Sequence, residues 1–149
     1  MWSVAGYSGT PLVEKLGIKD GQVVFLDGAP ADLELALHGL SPGGARLVQR
    51  LPRAADVTLT FHTTYAGLAK RLPTLFERTT TAGMVWVCWP KKAAQRSRRN
   101  PDGPVSDLDD NRVRALGLEL GFVDVKVAAI DETWSGQKFV RRLVDRRPG

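Results

Sequence analysis

The chain has 149 residues, 43% hydrophobic and 25% charged, with a net charge of +5. That size and balance suit one globular domain with its own core and exclude a wholly disordered chain. No apolar run approaches the ~20 residues that span a bilayer, and the start Met1-Trp2-Ser3-Val4-Ala5-Gly6-Tyr7 lacks the basic and apolar regions of a secretory signal. Cys88 is the single cysteine, so no internal disulfide forms and a cytoplasmic protein is expected.

Residues 1–20 read as an N-terminal arm. In it, Gly6-Tyr7-Ser8-Gly9-Thr10-Pro11 leads into a short helix from about Pro11 to Leu16, with Thr10 as the cap and Pro11 in the first helical position. Gln22 to Leu26 is a short apolar run closed by Asp27-Gly28-Ala29-Pro30, a buried strand and its turn. A short helix follows over 32–40, with His38 near its end, broken by Ser41-Pro42-Gly43-Gly44. Ala45 to Leu51 is a weak strand or a connector. The β-branched stretch Asp56 to His62 is a strand. From Tyr65 to Arg78 the apolar residues recur at helical spacing, and Pro73 is expected to split or kink the helix.

Gly83 to Trp89 is the most hydrophobic run and stops at Pro90, which predicts a central strand buried on both faces. Cys88 lies inside it and reads as a buried, inert thiol. Residues 91–105 are polar, basic and rich in turn formers, and a mobile loop is expected. Ser106 or Asp107 should cap a helix running to about Leu120, ended by Gly121. Phe122 to Ile130 is a strand, Asp131 to Gly136 a turn, and Gln137 to Val144 a last strand that forms an antiparallel hairpin with it.

The alternation of strands and helices predicts a single α/β domain over residues 1–149, Rossmann-like. Its mostly parallel sheet should have five or six strands, flanked by helices and finished by a C-terminal antiparallel hairpin. That architecture resembles the class I methyltransferase fold, which implies S-adenosylmethionine as a cofactor. Those enzymes carry a glycine-rich loop after their first strand and an acidic residue at the end of the second. Here the first strand ends in Asp27-Gly28-Ala29-Pro30 and the region Arg46 to Arg53 is basic, which argues against that cofactor. A closer resemblance rests on four motifs: Gly6-Tyr7-Ser8-Gly9-Thr10-Pro11-Leu12 with Lys15-Leu16-Gly17-Ile18-Lys19; Trp89-Pro90-Lys91-Lys92; Val123-Asp124-Val125-Lys126-Val127; and Asp131-Glu132-Thr133-Trp134-Ser135-Gly136 with Lys138-Phe139-Val140. These resemble DUF3052, a bacterial family of unknown function. The resemblance implies a Rossmann-like cytoplasmic protein and transfers no activity and no catalytic residue.

Open α/β sheets bind ligands at the carboxyl ends of their strands. Those ends carry Asp27, His62, Trp89 with Lys91 and Lys92, and Asp131, Glu132 and Trp134, the last set only if the strand from Phe122 runs parallel to the others. The candidate ligand residues are these from His62 onward together with Tyr7, Ser8, Gly9 and Thr10. The lysines could neutralise a phosphate or carboxylate, or simply begin a solvated loop. The glycine turn could cradle an anion at a helix start or cap a packed arm. Asp131 and Glu132 could serve acid–base or metal chemistry, or sit in an ordinary turn with a salt bridge to Lys91 or Lys92. No second His or Cys completes a metal set around His62, and Ser8 and Ser135 lack a Gly-x-Ser-x-Gly context, so zinc-enzyme and serine-hydrolase readings are weak.

The leading expectation is a non-catalytic or degenerate module binding an anionic small molecule or nucleotide at this rim. One alternative is an atypical S-adenosylmethionine-dependent methyltransferase. Another is a protein or nucleic-acid adaptor using two basic segments: Lys91, Lys92, Arg96, Arg98 and Arg99, and Lys138, Arg141, Arg142, Arg146 and Arg147.

Overall fold

Side chains alternate across a strand, so the central strands here divide their apolar residues between two cores, one on each face of the sheet. The computed structural model describes residues 12–33, 37 and 44–146. Its elements are α1 (Leu12–Leu16), β1 (Val23–Asp27), β2 (Arg46–Val48), β3 (Ala55–Phe61), α2 (Tyr65–Glu77), β4 (Thr79–Pro90), α3 (Asp110–Glu119), β5 (Phe122–Ala129) and β6 (Trp134–Arg141). The strands form one six-stranded sheet in the order β2-β1-β3-β4-β6-β5. The pairs β1–β2, β1–β3 and β3–β4 are parallel, and β6 is antiparallel to both β4 and β5. The last hairpin therefore folds back on itself: β6 enters between β4 and β5, and β5 runs parallel to the first four strands.

On one face Phe25, Val85, Val87, Trp89 and Phe139 pack against Leu68, Leu72, Leu75 and Phe76 of α2 and Val113 and Leu116 of α3. On the other, Val24, Leu26, Val57, Leu59, Trp86 and Cys88 pack against Leu12, Val13 and Leu16 of α1 and the buried Leu33 and Leu37. Residues 31–33 and 37 are helical, in keeping with the helix expected over 32–40, whose remaining residues lie outside the described ones.

Several local expectations are corrected. Pro73 does not split α2, which runs unbroken to Glu77. Its buried side is Leu68, Leu72, Leu75 and Phe76, while Pro73 is exposed, so the missing N–H costs a helix bond only on the wet side. α3 is capped by Asp109, whose carboxylate accepts from Arg112 N at 2.8 Å. Asp107 instead caps α2, accepting from Tyr65 N at 2.7 Å. β4 begins at Thr79, not Gly83, because a bulge lies between the pairs Ala55–Thr79 and Val57–Met84. β6 begins at Trp134 and ends at Arg141, followed by a 3-10 turn over Leu143–Arg146 that leaves Leu143 79% exposed. Gly121, φ +95°, ends α3 as expected.

The segment after β4 is folded on itself. Asn100 donates to Ala94 O at 2.6 Å, and Arg96 N to Pro104 O at 2.9 Å. The C-terminal basic stretch is partly consumed by the fold: Arg141 donates to Phe76 O at 3.0 Å and Thr79 O at 2.6 Å, around the end of α2, and Arg142 pairs with Asp145 at 3.2 Å.

α3 is held so closely against β6 that a Cβ at Gly117 would overlap the ring carbons of Phe139. Alanine in a helix interior gains roughly 0.5–1 kcal/mol over glycine, whereas overpacking costs about 1–3 kcal/mol. Gly117→Ala should therefore destabilise, seen as a lower urea midpoint, and Phe139→Leu in the same chain should recover part of the loss.

Candidate functional site at the carboxyl rim

Because β5 is parallel to β4, all four expected strand ends meet on one rim: Asp27 at the end of β1, His62 after β3, Lys91 after β4 and Asp131 after β5. The sheet itself then separates them. Phe25 belongs to the core under α2, so Asp27, two residues on, lies on that face. Val57, Leu59 and Phe61 lie on the α1 face, so Thr58, Thr60 and His62 project toward α2. Trp89 is on the α2 face as well, whereas Trp134 packs on the α1 face, edge-on to Phe61 with ring centroids 5.2 Å apart.

Two features result on the α2 face. The first is a hydrogen-bonded chain. Arg71 of α2 grips Asp27 with Nε on Oδ2 and Nη2 on Oδ1, each at 3.1 Å. Thr60 donates its hydroxyl proton to Asp27 Oδ2 at 2.7 Å, and His62 Nε2 lies 2.6 Å from the same hydroxyl oxygen. Burial holds the His62 imidazole below its ordinary pKa of 6.5; the Asp27 carboxylate partly opposes this and Arg71 reinforces it.

The second feature is a groove of about 630 Å³ between the end of β4 and the start of α3. Its walls include Trp89, Lys91, Lys92, Gln95 and Ser135 on one side and Asp107, Asp109 and Asp110 on the other. Trp89 is only 5% exposed, so its ring is core first and groove wall second. Each aspartate accepts from a backbone N–H: Asp107 from Tyr65, Asp109 from Arg112 and Asp110 from Asn111 at 2.9 Å. Helix N-termini stabilise such carboxylates. Neither lysine side chain has an anionic partner among the described residues. Beside the groove, Arg112 lies over the Tyr65 ring at 4.6 Å and donates to Asp107 O at 2.9 Å, tying α2 to α3.

The remaining candidates divide plainly. Asp131 Oδ1 accepts from Thr133 N at 2.8 Å and Trp134 N at 2.7 Å, closing the β5–β6 turn. Glu132 is exposed, and neither acid bridges to Lys91 or Lys92. Tyr7, Ser8, Gly9 and Thr10, and His38, lie outside the described residues. Among the described residues no group of three or more His, Cys, Asp or Glu could hold a metal ion, and no helix is long and apolar enough to cross a membrane. Cys88 is fully buried, and burial, with the Asp131 charge, pushes its thiol well above the ordinary range. A second concavity of about 840 Å³ lies away from the rim, beside the start of β1, lined by Arg46, Arg50 and Arg53 with Val23, Val48 and Leu51.

Asp27, Thr60, Arg71 and Asp107 are site residues that strand-end reading alone does not assemble. Thr60 and His62 share a face by period two, a signal present in the sequence. Arg71 and Asp107 join them only through the packing of α2 and of the segment before α3.

The His62 shift has a definite sign. Above pH 6.5 the ring is neutral in both folded and unfolded chains. Below it the unfolded chain takes the proton more readily, so this residue makes stability fall as pH drops from 6.5 toward the lower folded-state value. Denaturant titrations across that window should show a shallower loss of stability in His62→Gln than in the wild type.

Neither a protein-family model nor a curated relative matches the chain, so the resemblance to DUF3052 rests on its motifs alone. Solved structures do match. A SAM-dependent methyltransferase from Aquifex aeolicus aligns with TM-score 0.56 at 14% identity, over 86% of each chain. Magnesium protoporphyrin IX methyltransferase from Synechocystis PCC 6803, with bound SAH, aligns with TM-score 0.56 at 11% identity, over 87% of this chain and 78% of the other. Ribosomal protein L11 methylase from Lactobacillus delbrueckii subsp. bulgaricus aligns with TM-score 0.56 at 12% identity, over 88% and 75%. At such identities the likeness is one of architecture: the fold is the Rossmann-like α/β fold of SAM-dependent methyltransferases, with a mixed, mostly parallel sheet and a C-terminal antiparallel hairpin.

Proposed function

We propose that this protein binds a small molecule bearing an anionic group, of the nucleotide type, in the rim groove beside β4. The observation that carries the reading is the charge state of that groove. Its three aspartates are each engaged with backbone N–H groups, while Lys91 and Lys92 stand without a counter-ion among the described residues. A phosphate or carboxylate supplies what the lysines lack, and Ser135 and Gln95 offer neutral hydrogen bonds beside it.

A second reading, methyl transfer from S-adenosylmethionine, is favoured by the fold alone. The polar group at the end of β1, Asp27, is already held by Arg71 and Thr60, and β2 is followed by Gln49 and Arg50, with no acid at its end. The fit to that cofactor is therefore one of architecture.

Calorimetry and melting curves with ATP, AMP, inorganic phosphate, S-adenosylmethionine and S-adenosylhomocysteine separate the two. A probe at 100 times its Kd should stabilise the fold by about 2.7 kcal/mol. Hydrogen bonds to charged groups contribute roughly 1.5–3 kcal/mol each. Lys91→Ala with Lys92→Ala should therefore weaken an anionic probe at least about tenfold while the protein still folds. Stabilisation by none of the anionic probes overturns the first reading, and binding unaffected by the double substitution moves the ligand away from this groove. Stabilisation by S-adenosylmethionine alone supports the second.

A further inference from the structure

The chain Arg71–Asp27–Thr60–His62 decides where the histidine keeps its proton. A threonine hydroxyl has one hydrogen. Asp27 accepts two bonds from the Arg71 guanidinium and so is ionised and can only accept, which commits the Thr60 hydrogen to Asp27 Oδ2. The contact of 2.6 Å between Thr60 Oγ1 and His62 Nε2 then needs its hydrogen from the ring. The neutral imidazole therefore carries its proton on Nε2, and Nδ1 presents a bare lone pair.

Nδ1 has no hydrogen-bond partner among the described residues. Gly67 of α2, which is exposed, lies beside it: a Cβ there would sit 3.9 Å from Nδ1. A Cβ at that position would come within 2.9 Å of the Thr64 Oγ1 that caps the helix, so a larger residue would make the cap shift. No side chain of residue 67 therefore covers that edge of the ring, and His62 itself is partly exposed. The next residue, Thr63, accepts a backbone bond from Asp107 of the groove wall at 3.1 Å, which ties the backbone beside His62 to that wall.

We propose that His62 Nδ1 is a general base, taking the proton of an acidic O–H or S–H on a molecule bound at the carboxyl rim, with Thr60, Asp27 and Arg71 as positioning residues. The proton passes from the ligand's oxygen or sulfur to Nδ1. The electron pair of the broken bond stays on that atom, which is left as an anion, and the imidazolium later returns the proton to water. Asp27, acting through Thr60, stabilises the imidazolium, while Arg71 limits how basic the ring becomes. Among the described residues Asp27 and Arg71 are the charged side chains that act on the ring, and desolvation keeps it neutral near pH 7, the form a base must have. The ligand class rests on the rim reading above; the state of the ring does not, and is tested without any ligand.

Long-range proton–nitrogen correlation spectra of the full chain labelled with ¹⁵N-histidine, with His38→Gln to assign the two rings, report the tautomer. The expected result is Nε2–H with an unprotonated Nδ1, kept in Thr60→Ser and lost to a tautomer mixture in Thr60→Val. In parallel, diethylpyrocarbonate followed by peptide mass spectrometry should modify His62 in the folded protein, with a rate that rises with pH through a midpoint below 6.5. A purely structural histidine would resist the reagent until the protein unfolds. An Nδ1–H tautomer in the wild type, or a His62 that the reagent cannot reach in the folded chain, overturns the proposal. Loss of probe binding in the Lys91/Lys92 variant with the same His62 spectrum would instead bear on the groove alone.

Discussion

The fold turns on the indole of Trp86. It is the largest fully buried side chain among the described residues, in the middle of the central strand β4, and an indole N–H removed from water must find an acceptor. It finds Leu16 O at 3.0 Å, a carbonyl at the end of α1 that the helix itself leaves unpaired. One bond thus satisfies two buried groups and fixes a five-residue helix, too short to be stable alone, onto the sheet. The bulk of the ring also sets its surroundings. Gly136 on β6 has no side chain where a Cβ would meet Ile130 at 2.8 Å and Trp86 at 3.2 Å, and Lys126 of β5 lies over the ring at 5.9 Å. The missing Cβ at Gly136 fits the register observed, which carries the hairpin turn to the carboxyl rim.

That register explains why the rim has two unlike sides. Residues one apart on β3 serve different layers: Phe61 closes a hydrophobic contact with Trp134, while Thr60 and His62 join the polar chain to Asp27 and Arg71. The polar chain and the lysine groove share the α2 face, bridged by the segment from Asp107 that caps α2 and leads into α3.

Strand and helix order, the parallel sheet and the final hairpin could be read from apolar periodicity, because each is written in local pattern. The insertion of β6 between β4 and β5 could not, since a hairpin pattern names the partner of each strand on one edge only. Capping was ambiguous for a similar reason: Ser106, Asp107, Asp109 and Asp110 are all good caps, and Asp107 was drawn away to another helix by a tertiary contact. At the site, the lysines and Trp89 were visible as strand-end residues. Arg71 was hidden in an amphipathic helix, where an arginine ordinarily means a solvated face, and Asp131, conspicuous in sequence, is engaged in closing its own turn.

Cys88 sits inside this arrangement with consequences for how the protein can be observed. It is the sole thiol in the chain, fully buried in the strand flanked by β3 and β6, with its reactivity suppressed by burial. A maleimide or a disulfide reagent can reach it only after strands have parted at the centre of the sheet. The rate of labelling is then a clock for opening of the central sheet, insensitive to fraying at the termini or in the basic segment. One unmodified residue thereby provides a built-in reporter of the most protected part of the molecule.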